Sequence, residues 1–169
     1  MMTNNRPGEK MRAFKKRCRE RGLRITPQRI AIYDRLSASS DHPTATEMCG
    51  QIRREFPNIS LGTVNSALLT FAAIGLARVV EASGDPKRFD PDMKNHHHFR
   101  CVKCGRIIDF HDGTYDALNV PAEISKKYVV FGKKVSLEGL CDDCQKRTKE
   151  VYHGKRTKKA DHQFRQTGR

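Results

Sequence analysis

The stretch "NHHHFRCVKCGRIIDF", Asn95 to Phe110, carries three consecutive histidines and a Cys-x-x-Cys pair. A second pair, Cys141/Cys144, follows in "GLCDDC". Each Cys-x-x-Cys places two thiolates on one tight turn, and two such turns supply four soft ligands in a tetrahedron, the arrangement Zn²⁺ prefers. The spacer, residues 105–140, is longer than in small zinc fingers, so it must be a folded unit that brings its own ends together. Gly105 follows the first pair and Gly139 precedes the second, both apt for tight turns. A closed site of Cys101, Cys104, Cys141 and Cys144 leaves no open coordination position, so its zinc would be structural. A redox dithiol or free thiols are the alternatives, and in a cytosolic chain zinc is the better reading. Cys18 and Cys49 stand alone and read as inert helix thiols.

The histidines point to different chemistry. On a strand, His96 and His98 face one way and His97 the other. Two imidazoles on one face make half a site for a transition metal. They cannot be spare ligands of a Cys₄ site that is already full. Either a second metal binds here or the cluster is polar surface, and this strand alone fits the surface reading better.

The elements that must position these residues follow from caps and periodicity. Residues 9–21 favour a helix stopped by Gly22. Thr26 is an N-cap with Pro27 at the first helical position, opening a helix to about Leu36 that lines one face with Ile30, Ile32, Tyr33 and Leu36. Thr44 and Glu47 form a capping box for a helix carrying Met48, Ile52 and Phe56 and ending before Pro57. Ser60 opens "SLGTVNSALLTFAAIG", with Val64, Leu68, Phe71 and Ala72 as its apolar stripe and Gly75 as its C-terminal stop. Two short strands follow, "LARVVEA" and "KRFDP", around the turn "SGDP". Three helices and a hairpin is the winged-helix order, in which the third helix enters the major groove of DNA. A small helical domain with an unrelated hairpin is the plainer alternative.

After the polar linker 91–95, strands are expected in "HHHFRCV" and "GRIIDF". A helix broken at Pro121 follows, and then a strand across "YVVFGKKVSLEGL". This second half is thin in apolar residues and needs a metal staple or a dimer partner. The fold class is therefore α+β. An N-terminal winged-helix domain over residues 1–90 precedes the linker 91–95, an α/β dimerisation and metal-binding domain over 96–147, and a basic tail over 148–169.

The chain has 169 residues and a net charge of +14. Residues 1–25 hold nine Lys/Arg against two Glu, residues 145–169 nine against two acids, and the body between is neutral. Basic ends suit phosphate backbones, though solvated tails that aid solubility are the bland reading. No apolar run approaches the ~20 residues of a membrane helix. The N-terminus lacks the apolar core of a secretory signal. A soluble cytoplasmic location without membrane contact is expected. No nucleophile–base pair or phosphate loop is recognisable, so an enzyme is not expected.

Four segments in order, "RGLRITPQR", "DHPTATE", "RFDPDMKNHHHFRCVKCGRIIDF" and "GLCDDC", resemble the ferric uptake regulator superfamily from about Gly22 to Cys144, and within it the peroxide-responsive repressor branch. The resemblance implies a homodimeric repressor whose winged helix binds a double-stranded operator and whose second domain dimerises. It implies a regulatory Fe²⁺ or Mn²⁺ held by His42, Asp90, His96, His98 and Asp109. Iron-sensing members more often carry Glu near positions 90 and 109. In the family, bound Fe²⁺ reacts with peroxide and oxygen is added to a ligand histidine, here His42 or His96. Three imidazoles with two carboxylates suit Fe²⁺ or Mn²⁺, and an ion joining two domains can bias a two-state switch.

Each ligand also has a bland reading: His42 as a loop polar, Asp90 as a turn cap with Pro91, Asp109 as a partner of Arg106. His97 could belong to a second site of the iron sensors, which uses a histidine on the strand before the last Cys-x-x-Cys. "FGKKVSLEGLC" has none, so that site is expected to be absent or altered. The recognition helix reads "TVNS" where the family usually has T-V-Y-R. Asn65 can read adenine bidentately, but the missing Tyr and Arg put the usual operator in doubt. Candidate DNA contacts are Arg24, Gln28, Arg29, Ser60, Thr63, Asn65 and Ser66. An iron or other metal-occupancy sensor of the same family is the first alternative. A zinc-stapled winged-helix protein with non-specific nucleic-acid or protein binding is the second.

Overall fold

The computed structural model describes residues 7–80 and 86–148, and the chain divides into two compact units between Lys94 and Asn95. In the first unit, α1 (Pro7–Glu20), α2 (Pro27–Ala38), α3 (Ala45–Ile52) and α4 (Leu61–Ala73) precede β1 (Arg78–Val80) and β2 (Arg88–Asp90). The helix starts are where the caps put them. Thr26 accepts from the Arg29 N–H and Ser60 from the Thr63 N–H. Thr44 and Glu47 close a full capping box. Such caps satisfy backbone donors that would otherwise be orphaned, each contributing about 1 kcal/mol. Gly22 and Gly75 take positive φ, 63° and 75°, just past α1 and α4.

The core of this unit is built on three rings. Phe14 stacks on Tyr33 at 4.5 Å, and both meet Phe71 edge-on. Ile32, Leu36, Met48, Ile52, Val64, Leu68 and Phe89 complete it. Phe14 and Cys18 are fully buried, so α1 is docked on the domain. Two expectations shift. α3 ends at Ile52, a turn before Phe56, whose N–H still reaches the Ile52 carbonyl oxygen while its ring packs on the core from outside the helix. Ala72 is only half-buried, so the stripe of α4 is Val64, Leu68 and Phe71. β1 and β2 pair antiparallel, Val79 opposite Phe89. Most of the turn between them, and the basic ends before residue 7 and after 148, lie outside the described residues.

The second unit holds a three-stranded sheet in the order β4-β3-β5, from β3 (His97–Cys101), β4 (Ile107–Phe110) and β5 (Ser136–Gly139). Short helices α5 (Gly113–Asp116) and α6 (Ala122–Ser125) lie between β4 and β5, broken around Pro121. The expected strand across residues 128–140 is shorter than read: only Ser136–Gly139 pairs, and residues 129–135 run without strand hydrogen bonding along β3 beyond the Val135 carbonyl. β-branched and aromatic side chains favour a strand, but a strand also needs a partner edge, and β3 offers only a few residues. The buried cluster here is Cys101, Cys141 and Cys144, with Phe99 and Leu140 packed against it.

Candidate metal centres

The strand register closes the long cysteine spacer. β5 runs parallel to β3 with Cys101 opposite Gly139, and the Val102 N–H donates to the Gly139 carbonyl oxygen at 2.8 Å. That register delivers the second Cys-x-x-Cys turn beside the first. Gly139 lies in β5 and not in a turn, and it leaves room for a neighbour: a Cβ there would sit 3.2 Å from the Phe99 ring, which would have to shift. Gly105 takes φ 71° and donates its N–H to the Cys101 carbonyl oxygen, completing the first turn.

The four sulfurs lie within 4.8 Å of one another, and Cys104 Sγ is 3.7 Å from Cys141 Sγ. A tetrahedron with Zn–S bonds of about 2.3 Å has edges of about 3.8 Å. A disulfide needs about 2.05 Å, so this is ligand geometry. The Cys141 N–H points at Cys101 Sγ from 3.4 Å and draws that thiol down to about 6. Burial pushes the Cys144 thiol up to about 12. The four thiols lie too close for all to ionise unaided, and a bound cation would favour the thiolate form of each. The residues fit Zn²⁺.

The histidines divide as the strand period requires. His96 Nε2 and His98 Nε2 are 2.9 Å apart, both rings buried, and Asp109 Oδ1 is 3.6 Å from the first and 3.3 Å from the second. Asp109 stands opposite His98 across β3 and β4. Octahedral bonds of about 2.1 Å give ligand spacings of about 3.0 Å, so the three atoms could share an ion. Arg106, read as a possible partner of Asp109, instead pairs with Asp143 and Asp142.

His97 turns to the other face. It is buried against Phe110 and Tyr115, its Nδ1 accepts from the Val135 N–H, and its Nε2 lies 3.3 Å from Asp116 Oδ1. Lys133 donates to the Asp116 and Leu118 carbonyl oxygens beside it. Nothing local in the sequence marked Asp116 or Lys133. His111 lies edge-on to His96 at 6.0 Å between ring centroids.

In the first unit, His42 and Asp90 are both buried, with His42 Nε2 3.9 Å from Asp90 Oδ1. Asp90 also caps a turn, accepting from the Asp92 N–H at 2.7 Å. His42 holds φ 48°, a conformation that costs a non-glycine residue about 1–2 kcal/mol. Its loop is pinned to β2: Phe89 N–H donates to the Pro43 carbonyl oxygen, and Arg88 Nη1 donates to the His42 carbonyl oxygen and to Glu47. Arg88 was not singled out in the sequence, although it stands two residues before Asp90.

Gln28, Arg29, Ser60, Thr63 and Ser66 line one cleft of about 580 Å³ where the α2 and α4 N-termini converge. Arg29 donates to the Arg24 carbonyl oxygen at 2.6 Å. Asn65 lies on α4, half-buried, and is not part of that lining.

The sequence model of the ferric uptake regulator family matches residues 20–139. The chain belongs to the ferric uptake regulator family. It is 39% identical over 127 residues to the peroxide-responsive repressor PerR of Staphylococcus saprophyticus, covering 75% of this chain and 86% of that protein. The corresponding repressor of Staphylococcus epidermidis is 37% identical over the same shares but for 85% of its own length. In three dimensions the chain is similar to the Helicobacter pylori ferric uptake regulator, with a TM-score of 0.71 at 24% identity over 86% of this chain and 97% of that one. As a member of the family it is a metal-responsive transcriptional regulator. No helix among the described residues is long and apolar enough to cross a membrane.

Proposed function

We propose that this chain is a dimeric, metal-dependent repressor that senses peroxide. In this reading Zn²⁺ staples the second unit through Cys101, Cys104, Cys141 and Cys144. A regulatory Fe²⁺ or Mn²⁺ takes His42 and Asp90 from the first unit and His96, His98 and Asp109 from the second. The first unit works as a winged helix, with α4 reading operator DNA. The second unit pairs two copies. The protein is intracellular and does not turn over a substrate.

The observation that carries the reading is the pair of ligand half-sets, buried His42 with buried Asp90 in the first unit and buried His96 and His98 beside the exposed Asp109 in the second. Burying ionisable side chains is costly unless something compensates it, and each unit buries such residues, His42 and Asp90 in one and His96 and His98 in the other, at positions where the family resemblance puts ligands. Relatives that are peroxide-responsive repressors support the sensing mode. Three imidazoles and two carboxylates suit Fe²⁺ or Mn²⁺. Fe²⁺, when bound, supplies the redox chemistry by which one peroxide oxygen is added to an imidazole ring carbon, the other leaving as water. The chain's own part is to hold His42 and His96 as fixed, water-poor targets. Loss of an imidazole ligand then removes the ion that favours the DNA-binding state.

Peptide-resolved mass spectrometry tests this. Zinc-loaded protein receives Fe²⁺ without oxygen, then a small dose of peroxide, with Mn²⁺ as control. One added oxygen on His42 or His96, only with iron, is expected. Intact histidines with iron demonstrably bound would overturn peroxide sensing and leave a metal-occupancy sensor.

A further inference from the structure

The helix proposed to read DNA carries no charge at all. α4 is "LGTVNSALLTFAA", and its outward positions are Leu61, Gly62, Thr63, Ser66, Leu69 and Ala73, with Asn65 half-buried. Such a face can read base edges, but it cannot neutralise phosphates, which supply most of the affinity of DNA-binding proteins. The cations must come from another element of the unit.

α1 provides them. Arg12, Lys15, Lys16 and Arg19 are all exposed, and their spacing of i, i+3, i+4 and i+7 puts them on one helical face. Phe14 and Cys18, on the opposite face, are fully buried and lock the helix to α2 and α4 through the Tyr33 and Phe71 rings. Lys10 ties the N-terminal end to the Ser37 carbonyl oxygen, and the Leu23 N–H closes the C-terminal end on Cys18. Glu20 takes Lys16 and Arg17 in exposed pairs, while among the described residues Arg12, Lys15 and Arg19 have no ion-pair partner.

We propose that the Arg12–Lys15–Lys16–Arg19 face of α1 grips the phosphate backbone of duplex DNA. The proposal rests on the DNA-binding reading above and assigns its affinity to a different element from its sequence choice. The stripe is about 10 Å long at ~1.5 Å per residue, which spans about three phosphates of one strand at ~3.4 Å each. Because the helix is docked, the cations are held in place before binding, which lowers the ordering cost. A membrane surface is the poorer match: a helix that lies on lipid inserts its apolar face, and here that face is the domain core.

The test uses the full chain, zinc-loaded and with Mn²⁺. Two duplexes are titrated against salt: one enriched by the wild-type protein from a random pool, and one scrambled. The variant R12Q/K15Q/K16Q/R19Q keeps helix-forming side chains. Its log-affinity against log-salt slope should become shallower by about 2–3, at about 0.9 for each of about three lost phosphate contacts. Affinity should fall at least tenfold on both duplexes with their ratio unchanged. The charge-preserving R12K/K15R/K16R/R19K should keep the wild-type slope, and a thermal melt of each variant checks the fold. A wild-type slope in the glutamine variant overturns the proposal. So does loss of binding to phosphatidylserine vesicles with DNA affinity intact. If the wild-type protein binds duplex without preferring any sequence, the repressor reading fails while the slope comparison still decides the role of α1. If it binds no duplex at all, both fall.

Discussion

The Arg88 guanidinium donates to the His42 carbonyl oxygen at 3.0 Å and so fastens a histidine of φ 48° to strand β2. The same group reaches Glu47 Oε2 at 3.3 Å, an oxygen that already closes the capping box on Thr44 at 2.7 Å. One cation therefore joins the start of α3, the His42 turn and the strand that ends in Asp90. Strain of this kind persists only where the surroundings over-determine it.

Replacing Arg88 should loosen His42 without touching the cysteines. R88Q is expected to lower stability by about 1 kcal/mol and to raise the Mn²⁺ concentration needed for DNA binding several-fold. The zinc content should stay at the wild-type level. A Mn²⁺ titration followed by fluorescence anisotropy, with zinc assayed in parallel, measures both. Unchanged Mn²⁺ dependence would remove Arg88 from the switch.

Zinc removal should act on one unit only. The buried cluster of the second unit is three cysteines with Phe99 and Leu140 beside them, too little to hold a sheet without the ion. The first unit keeps its own core around Phe14, Tyr33 and Phe71. Hydrogen exchange after chelation, or in C104S, should show protection lost across β3, β4 and β5 and retained in α2 and α4. Loss of protection in both units together would mean that they fold as one.

Gly139→Ala tests the register that closes the zinc site. Its Cβ would press on Phe99 Cε2 at 3.2 Å and Cζ at 3.3 Å. The ring must tilt away from the cysteine cluster, at a cost of about 1–3 kcal/mol for overpacking. Zinc transfer to a colorimetric chelator should be faster than in wild type, and metal-replete thermal unfolding should occur at lower temperature. An unchanged transfer rate would mean that the ring moves freely.

Asn65→Ala tests base reading by α4. A bidentate amide–adenine contact is worth about 1–3 kcal/mol. The enriched duplex should bind roughly 10-fold to 100-fold more weakly and the scrambled duplex almost as before. An equal loss on both would place Asn65 among backbone contacts instead.

The sequence by itself determined the local structure and marked the side chains whose chemistry suits metal ligands. Thr26, Thr44 and Ser60 cap helices because short hydroxyl side chains reach the backbone donors of the next turn. A strand period of two was enough to separate His97 from His96 and His98. The Cys-x-x-Cys pairs named a zinc site without any knowledge of how residues 105–140 fold.

Long-range pairing decided the rest, because no local pattern encodes it. The parallel register of Cys101 with Gly139 is what brings the two thiolate turns together. The short edge that β3 offers limits the expected last strand to Ser136–Gly139. The tertiary fold set Arg106 beside Asp143 and Asp142 and Asp109 beside His96 and His98. Arg88 and His42 are 46 positions apart, and only packing of the His42 loop on β2 makes them neighbours. Caps and periods act within a few residues and can be read along the chain, whereas a contact between distant residues depends on every loop closed between them.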